Sequence, residues 1–242
     1  MTRKKDGNSV EILGINLSSA PEGEVLKKIV KRVEEKKKTF VVTPNPEFFV
    51  FTQDNPWFKK ILNSATIAVP DGVGLVWASW VLGTEPRLKQ RITGADLSAG
   101  LLIEANKKHW RVGVVGVRRG VEKEARVFIQ NLQKKYRQAK IFNLEEINEW
   151  QKKEWEIIFA CQGMGKQEKW IQAHFKTAKA GLFMGAGGAL DYLTGFVPRA
   201  PAWFRRIGLE WLYRLFKQPW RWRRQLALIY FIWLIGKAKL KN

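Results

Sequence analysis

A single cysteine, Cys161, and two histidines, His109 and His174, are all that this chain offers a disulfide framework or a soft metal site. One cysteine excludes an internal disulfide and fits a reducing compartment. Neither histidine has Cys or carboxylate neighbours at ligand spacing, so both read as surface or packing residues, and Cys161 reads as core. No stretch reaches the roughly 18 uncharged apolar residues of a membrane-spanning helix. The N-terminus "MTRKKDGNSVEILGINL" is basic but lacks the apolar centre of a signal peptide, which argues against export and for a cytoplasmic location. Acid is scarce too: 43 Lys and Arg face 22 Asp and Glu across 242 residues, a formal net charge of +21. From residue 196 onward the scarcity is extreme, because Glu210 is the sole acid among eleven basic residues. A surface this basic implies an anionic partner: nucleic acid, phospholipid or a phosphate-bearing substrate.

What is present is an alternation. Apolar runs at Val10–Ile15, Thr39–Thr43, Thr66–Val69, Arg111–Val117, Lys140–Leu144, Glu156–Cys161 and Gly181–Met184 read as strands. Helical patterns at 21–37, 46–63, 73–82, 95–108, 120–135 and 165–176 separate them. Strands spaced by helices predict an α/β fold around a mostly parallel sheet for residues 1–195. Residues 196–242 carry no strand signal and form a basic, aromatic, helical appendage. There, "WRWRRQLALIYFIWLI" joins arginines and tryptophans to the apolar run Leu226–Ile235, which is too short to span a bilayer and suits an interfacial helix. A core-packing helix and a nucleic-acid surface are the competing readings. The unbroken "LALIYFIWLI" is more apolar area than nucleic acid would cover, which favours an anionic membrane surface. A second copy of the chain could cover the same aromatic face.

In open parallel sheets ligands lie beyond the carboxyl ends of the strands. Four such ends carry polar or glycine-rich residues. "FVVTPNPE" places Thr43 and Asn45 there, and "TIAVPDGVG" places Asp71, followed at once by Gly72. "IIFACQGMGKQEKW" runs through glycines to Gln167. "LFMGAGGALDYLTG" passes Gly187 and Gly188 before Asp191, a glycine turn whose amides could seat a diphosphate. Asp71 reads either as a turn or cap residue or as a working acid/base group. "TGADL" reads as a capping box of Thr93 and Asp96. "GVVGVRRGVE" lacks the spacing of a dinucleotide fingerprint and reads as a structural turn.

Taken together, "TPNPE", "VPDGVGLVWA", "RITGADL", "GKQEKWI", "GALDYLTG" and "RAPAWFRRIGLEWLYRLFKQPWRWRR" resemble the WecG/TagA/CpsF glycosyltransferases in order and spacing, from Gly14 to about Arg224. The chain departs from that pattern at Gly165, where the family usually has proline. The resemblance implies a Rossmann-like core and an inverting sugar transfer that needs no metal and no cofactor. An N-acetylmannosamine-type sugar would pass from a UDP donor to polyprenyl-diphosphate-linked N-acetylglucosamine, at the inner face of the cell membrane, in teichoic-acid linkage units or similar glycans. On this resemblance Asp71 is the general base, with Thr43 and Arg91 beside it in the catalytic set. Asn45, Gly72, Asp96, Gln167, Gly187 and Asp191 contact substrate, and Arg214, Arg221 and Arg224 of the appendage face diphosphate.

Overall fold

The computed structural model describes residues 9–117, 121–206, 208–217, 219 and 222–241, with only the backbone of Arg214, Arg223 and Arg224. The chain opens with a small antiparallel hairpin, β1 (Ser9–Ile12) and β2 (Ile15–Ser18). The run at 10–15 therefore does not form one strand. Leu13 and Gly14 both have positive φ and fold it back on itself.

The main sheet has six strands, all parallel: β3 (Thr39–Val42), β4 (Ile67–Ala68), β5 (Arg111–Val115), β6 (Lys140–Asn143), β7 (Trp155–Ala160) and β8 (Ala180–Gly185). Their spatial order is β4-β3-β8-β7-β5-β6. Alternate residues of a strand point to opposite faces, and here both faces are covered. Phe40, Val42, Ala68, Ile158 and Phe183 enter one apolar core, while Val41, Ile67, Ile157, Phe159 and Leu182 enter the other. Burial on both sides is why these strands read as continuous apolar runs.

The helices between strands are α1 (Glu22–Glu34), α2 (Pro46–Asp54), α3 (Pro56–Ser64), α4 (Val73–Leu82), α5 (Gly94–Lys107), α6 (Glu122–Lys135) and α7 (Lys166–His174). The helical pattern at 46–63 is two helices, not one. Pro56 starts the second, and Asn55 before it is held out of helical geometry, at φ −130° and ψ 74°. After β8 follow α8 (Ala189–Leu193), α9 (Ala202–Arg206), α10 (Glu210–Lys217) and α11 (Trp222–Lys239).

Helix α11 absorbs the apolar run of the tail. It packs on α2 and α4, with Phe231 and Ile235 fully buried in the first core. The Phe231 ring meets Phe49 of α2 edge-on, with centroids 5.7 Å apart. Ile229 and Trp233 project outward instead. One helix thus closes the core and presents an apolar outer face, which accounts for a run with almost no helical amphipathicity. Truncating Phe231 to alanine removes a ring that holds α11 down, so thermal denaturation should show a loss of about 3–5 kcal/mol; a negligible loss would mean that α11 is not seated on α2.

Candidate active site

The carboxyl ends of β3, β4, β5, β7 and β8 open onto one cavity of about 1070 Å³, above the usual range for small-molecule sites. Thr43, Asn45, Asp71, Arg91, Gln167 and Asp191 all line it, together with Gly72 and Gly187. The backbone stitches the relevant loops together. Val69 N–H donates to the Val42 carbonyl, Asp71 N–H to that of Pro44 and Ile92 N–H to that of Pro70. Three segments distant in sequence thereby meet at Asp71.

Asp71 is held by its own side chain as well. Its Oδ2 accepts from the backbone N–H of Gly94, at the first turn of α5, over 3.0 Å. A Cβ added to Gly94 would lie 3.2 Å from Thr43 Oγ1 and 3.5 Å from Asp71 Oδ2, so the hydroxyl and the carboxylate converge closely over this backbone. Burial pushes the Asp71 carboxyl up to about 6, against the downward pull of the Gly94 hydrogen bond and the Arg91 charge. Gly72 follows at φ 121°, a conformation essentially restricted to glycine, and turns the chain directly into α4. Asn45 caps α2, its Oδ1 accepting from Phe48 N–H over 3.3 Å, while remaining on the cavity wall.

A cluster of charges joins the tail to this floor. Arg91 Nη2 donates to the Arg205 carbonyl over 2.7 Å and lies 3.7 Å from Glu210 Oε2. Arg199 pairs with Asp96 at 2.7 Å and with Glu210 at 3.4 Å. The Asp96 carboxyl is not among the cavity-lining groups. Burial opposes its ionisation, but hydrogen bonds from Arg199 and the Thr93 hydroxyl outweigh this and hold it below the ordinary range. Asp96 thus anchors the tail from behind the wall. The capping box forms by half: Thr93 Oγ1 accepts from Asp96 N–H at 3.0 Å, but the Asp96 carboxylate takes the Thr93 hydroxyl proton rather than a backbone amide. Gly208, at φ 78°, lays the tail on Val73; a Cβ there would lie 2.4 Å from Val73 Cγ1. Arg199 and Glu210 lie within the tail motif without being assigned a site role there, although a lone acid in so basic a segment is itself a signal. Arg221 lies outside the described residues, as do the side chains of Arg214 and Arg224.

Gln167 is almost fully buried. Its Oε1 accepts from Gly187 N–H at 3.0 Å, and its Nε2 donates to Glu168 Oε1 at 2.7 Å. The Gly187 amide is therefore spent on Gln167 and does not offer the diphosphate seat that the glycine turn suggested; α8 behind it is only five residues long. Gly185 is required for close approach, since a Cβ would meet Gln167 Nε2 at 2.6 Å. Glu168 accepts in turn from Gly165 N–H at 2.7 Å, and burial pushes its carboxyl up to about 7 against those two hydrogen bonds. Cys161 lines the cavity, but burial drives its thiol far above the usual range, which leaves it a poor nucleophile. His174 lies against Trp170 and Trp150, a packing role. Among the described residues, no three His, Cys, Asp or Glu side chains gather as metal ligands would.

A parallel α/β sheet whose strand ends bring a carboxylate, a hydroxyl and a clamped arginine into one large cavity has the form of an enzyme active site. The sequence model of the Glycosyl transferase WecG/TagA/CpsF family matches residues 10–242, and the chain belongs to that family of glycosyltransferases. It is 32% identical to a Bacillus subtilis (strain 168) protein named N-acetylglucosaminyldiphosphoundecaprenol N-acetyl-beta-D-mannosaminyltransferase, over 81% of this chain and 78% of that one. Proteins of the same name in Bacillus spizizenii and in Staphylococcus aureus (strain MRSA252) are 31% and 29% identical, over 85% and 100% of this chain and 81% and 98% of theirs.

The raised Asp71 carboxyl has a sign that can be measured. A carboxyl whose folded-state value lies above its unfolded value of about 3.9 costs the fold stability as pH rises from about 4 through 6. Asp71→Asn should therefore melt at or above the wild-type temperature at pH 8, with the gap closing near pH 4. Glu210→Gln weakens the grip on both Arg91 and Arg199, so limited trypsin digestion should cut between residues 199 and 217 several times faster while the core melts nearly as before; unchanged cleavage would show that the tail is held by other contacts.

Proposed function

We propose that the chain moves an N-acetylmannosamine-type sugar from a UDP donor to polyprenyl-diphosphate-linked N-acetylglucosamine, with inversion and without a metal. The placement of Asp71 carries this reading: an ionisable carboxyl, anchored through one oxygen, at the floor of the cavity where the strand ends converge. The activities for which the relatives are named supply the sugar and the acceptor.

In this scheme the acceptor hydroxyl oxygen attacks the anomeric carbon from the face opposite the nucleotide. The new C–O bond forms as the bond to the β-phosphate oxygen of UDP breaks. The hydroxyl proton passes to Asp71, and the departing nucleotide takes up negative charge. A carboxyl near 6 is well matched to accepting a proton at neutral pH. Arg91 lines the cavity, and the positions of Arg214, Arg221 and Arg224 add cations from the tail for the developing diphosphate charge. Thr43, beside Asp71, and Asn45 flank the reacting sugar. Gln167 acts through Gly187, setting the loop against which the donor lies.

The same reading places the enzyme at the inner face of the membrane, peripherally. Among the described residues no helix is long and apolar enough to cross a bilayer. Exposed Trp80, Ile229 and Trp233, with Lys237 and Lys239 near the end of α11, form a face suited to an anionic lipid surface. The product would serve a teichoic-acid linkage unit or a similar surface glycan.

UDP release should require both a UDP-sugar and the lipid-linked acceptor and should persist in EDTA. Turnover should fall about tenfold per pH unit below about 6, as Asp71 takes up its proton. Asp71→Asn should lose about 10²–10⁴-fold in kcat while still binding UDP; turnover within a few-fold of wild type would remove Asp71 from the base role.

A further inference from the structure

The cavity above Asp71 has two chemically different ends. One is polar, with Thr43, Asn45, Asp71 and Arg91. The other is walled mainly by apolar side chains, Val73 and Trp77 of α4, Trp211 of α10, and Leu228, Phe231 and Ile232 of α11, with Gln225 of α11 as a polar neighbour. This second end is not a closed part of the core. Phe231 forms its buried back, but Trp77 is 41% and Ile232 is 51% exposed. Trp77 stands one helical turn, about 6 Å, beyond Val73, and Val73 is two residues from Asp71. A ligand that starts at Asp71 and continues past Val73 must therefore leave through an apolar slot.

We propose that this slot between α4 and α11 seats the first isoprene units of the acceptor's polyprenyl chain, so that the enzyme itself selects a branched apolar chain on the diphosphate. The inference rests on the reading of the acceptor given above. Three observations support that occupant over others. Polar and apolar ends belong to one continuous cavity, so they suit one molecule that is polar at the reacting end and apolar at the other. A nucleotide sugar is polar throughout and leaves the Trp77–Ile232 walls without a partner. Arg91 lines the polar end, where the diphosphate between sugar and lipid would lie. A flat bilayer can cover the convex outer face of α11, but it cannot fill a recess between two helices.

The chain-length dependence of the reaction tests this. N-acetylglucosaminyl diphosphates bearing a methyl, geranyl or farnesyl group are compared as acceptors in buffer free of vesicles and detergent. For the wild type, kcat/KM should rise at least tenfold (about 1.4 kcal/mol) from methyl to farnesyl, mostly through KM, and a linear alkyl group of equal carbon number should do less well. Trp77→Ser and Ile232→Ser should each bring the farnesyl-to-methyl ratio close to one, whereas Ile229→Ser, outside the slot, should retain it. The ratio is independent of how much of a variant is folded, and Ile232 is a half-exposed second position should Trp77 prove important for folding. Turnover without a chain-length preference, or a preference that survives both slot substitutions, would overturn the slot alone. A ratio lost only with Ile229→Ser would overturn the slot and assign the apolar preference to the outer face, as a second copy of the chain seated there would require. Absence of turnover on every acceptor would overturn the activity reading, and the slot with it.

Discussion

A half-buried carboxylate at a cavity floor needs a donor, and Asp71 has the amide of Gly94. That bond sets much of the surrounding geometry. It ties the loop after β4 to the first turn of α5, and it fixes one oxygen so that the carboxyl faces the cavity floor. Gly94 lets Thr43 and Asp71 come close over it, since even a Cβ there would be a tight fit against the Thr43 hydroxyl. The bond also leaves Asp71 incompletely compensated, since one amide and a nearby arginine do not replace full hydration. A group that resists ionisation yet is held for reaction is a frequent arrangement at catalytic sites.

The tail is joined to this floor through charge, and to the core through apolar packing. Glu210, Arg199, Asp96 and Arg91 bridge residues 91–96 to 199–210, so the only acid of a strongly basic segment is placed where two guanidiniums need it. Half-buried ion pairs contribute modestly to stability, and their value here is directional. Farther on, Phe231 and Ile235 insert beside α2 and α4. The tail is therefore wall and cover of the cavity at once, and its outer face remains apolar.

Much of this was legible in the residues. Continuous apolar strands, helices of the right length between them and polar residues after each strand pointed to a parallel sheet with a site at its carboxyl edge, where the cavity lies. Thr43, Asn45, Asp71, Arg91, Gln167, Gly187 and Asp191 do come together there. Local conformation defeated the reading in two places. Leu13–Gly14 turns a supposed strand into a hairpin, and Asn55–Pro56 splits a supposed helix. Function-like motifs misled where a partner lay far off in sequence. The Gly187 amide looked available until Gln167, twenty residues upstream, was seen to take it. Asp96 does belong to the α5 cap that its motif suggested, but its carboxylate also pairs with Arg199, more than a hundred residues away, which no local pattern shows.

From sequence alone came the alternation of elements, the basic tail with its single acid, and the chemical types gathered at each strand end, because periodicity, charge and turn chemistry are local properties. Tertiary structure alone decided which amides were already spent, that Gly94 would hold Asp71, that α11 would bury one side and expose the other, and that one cavity would run from carboxylate to apolar slot. Those outcomes depend on contacts between segments far apart in the chain, and hydrogen-bond competition and packing are settled only when such segments meet.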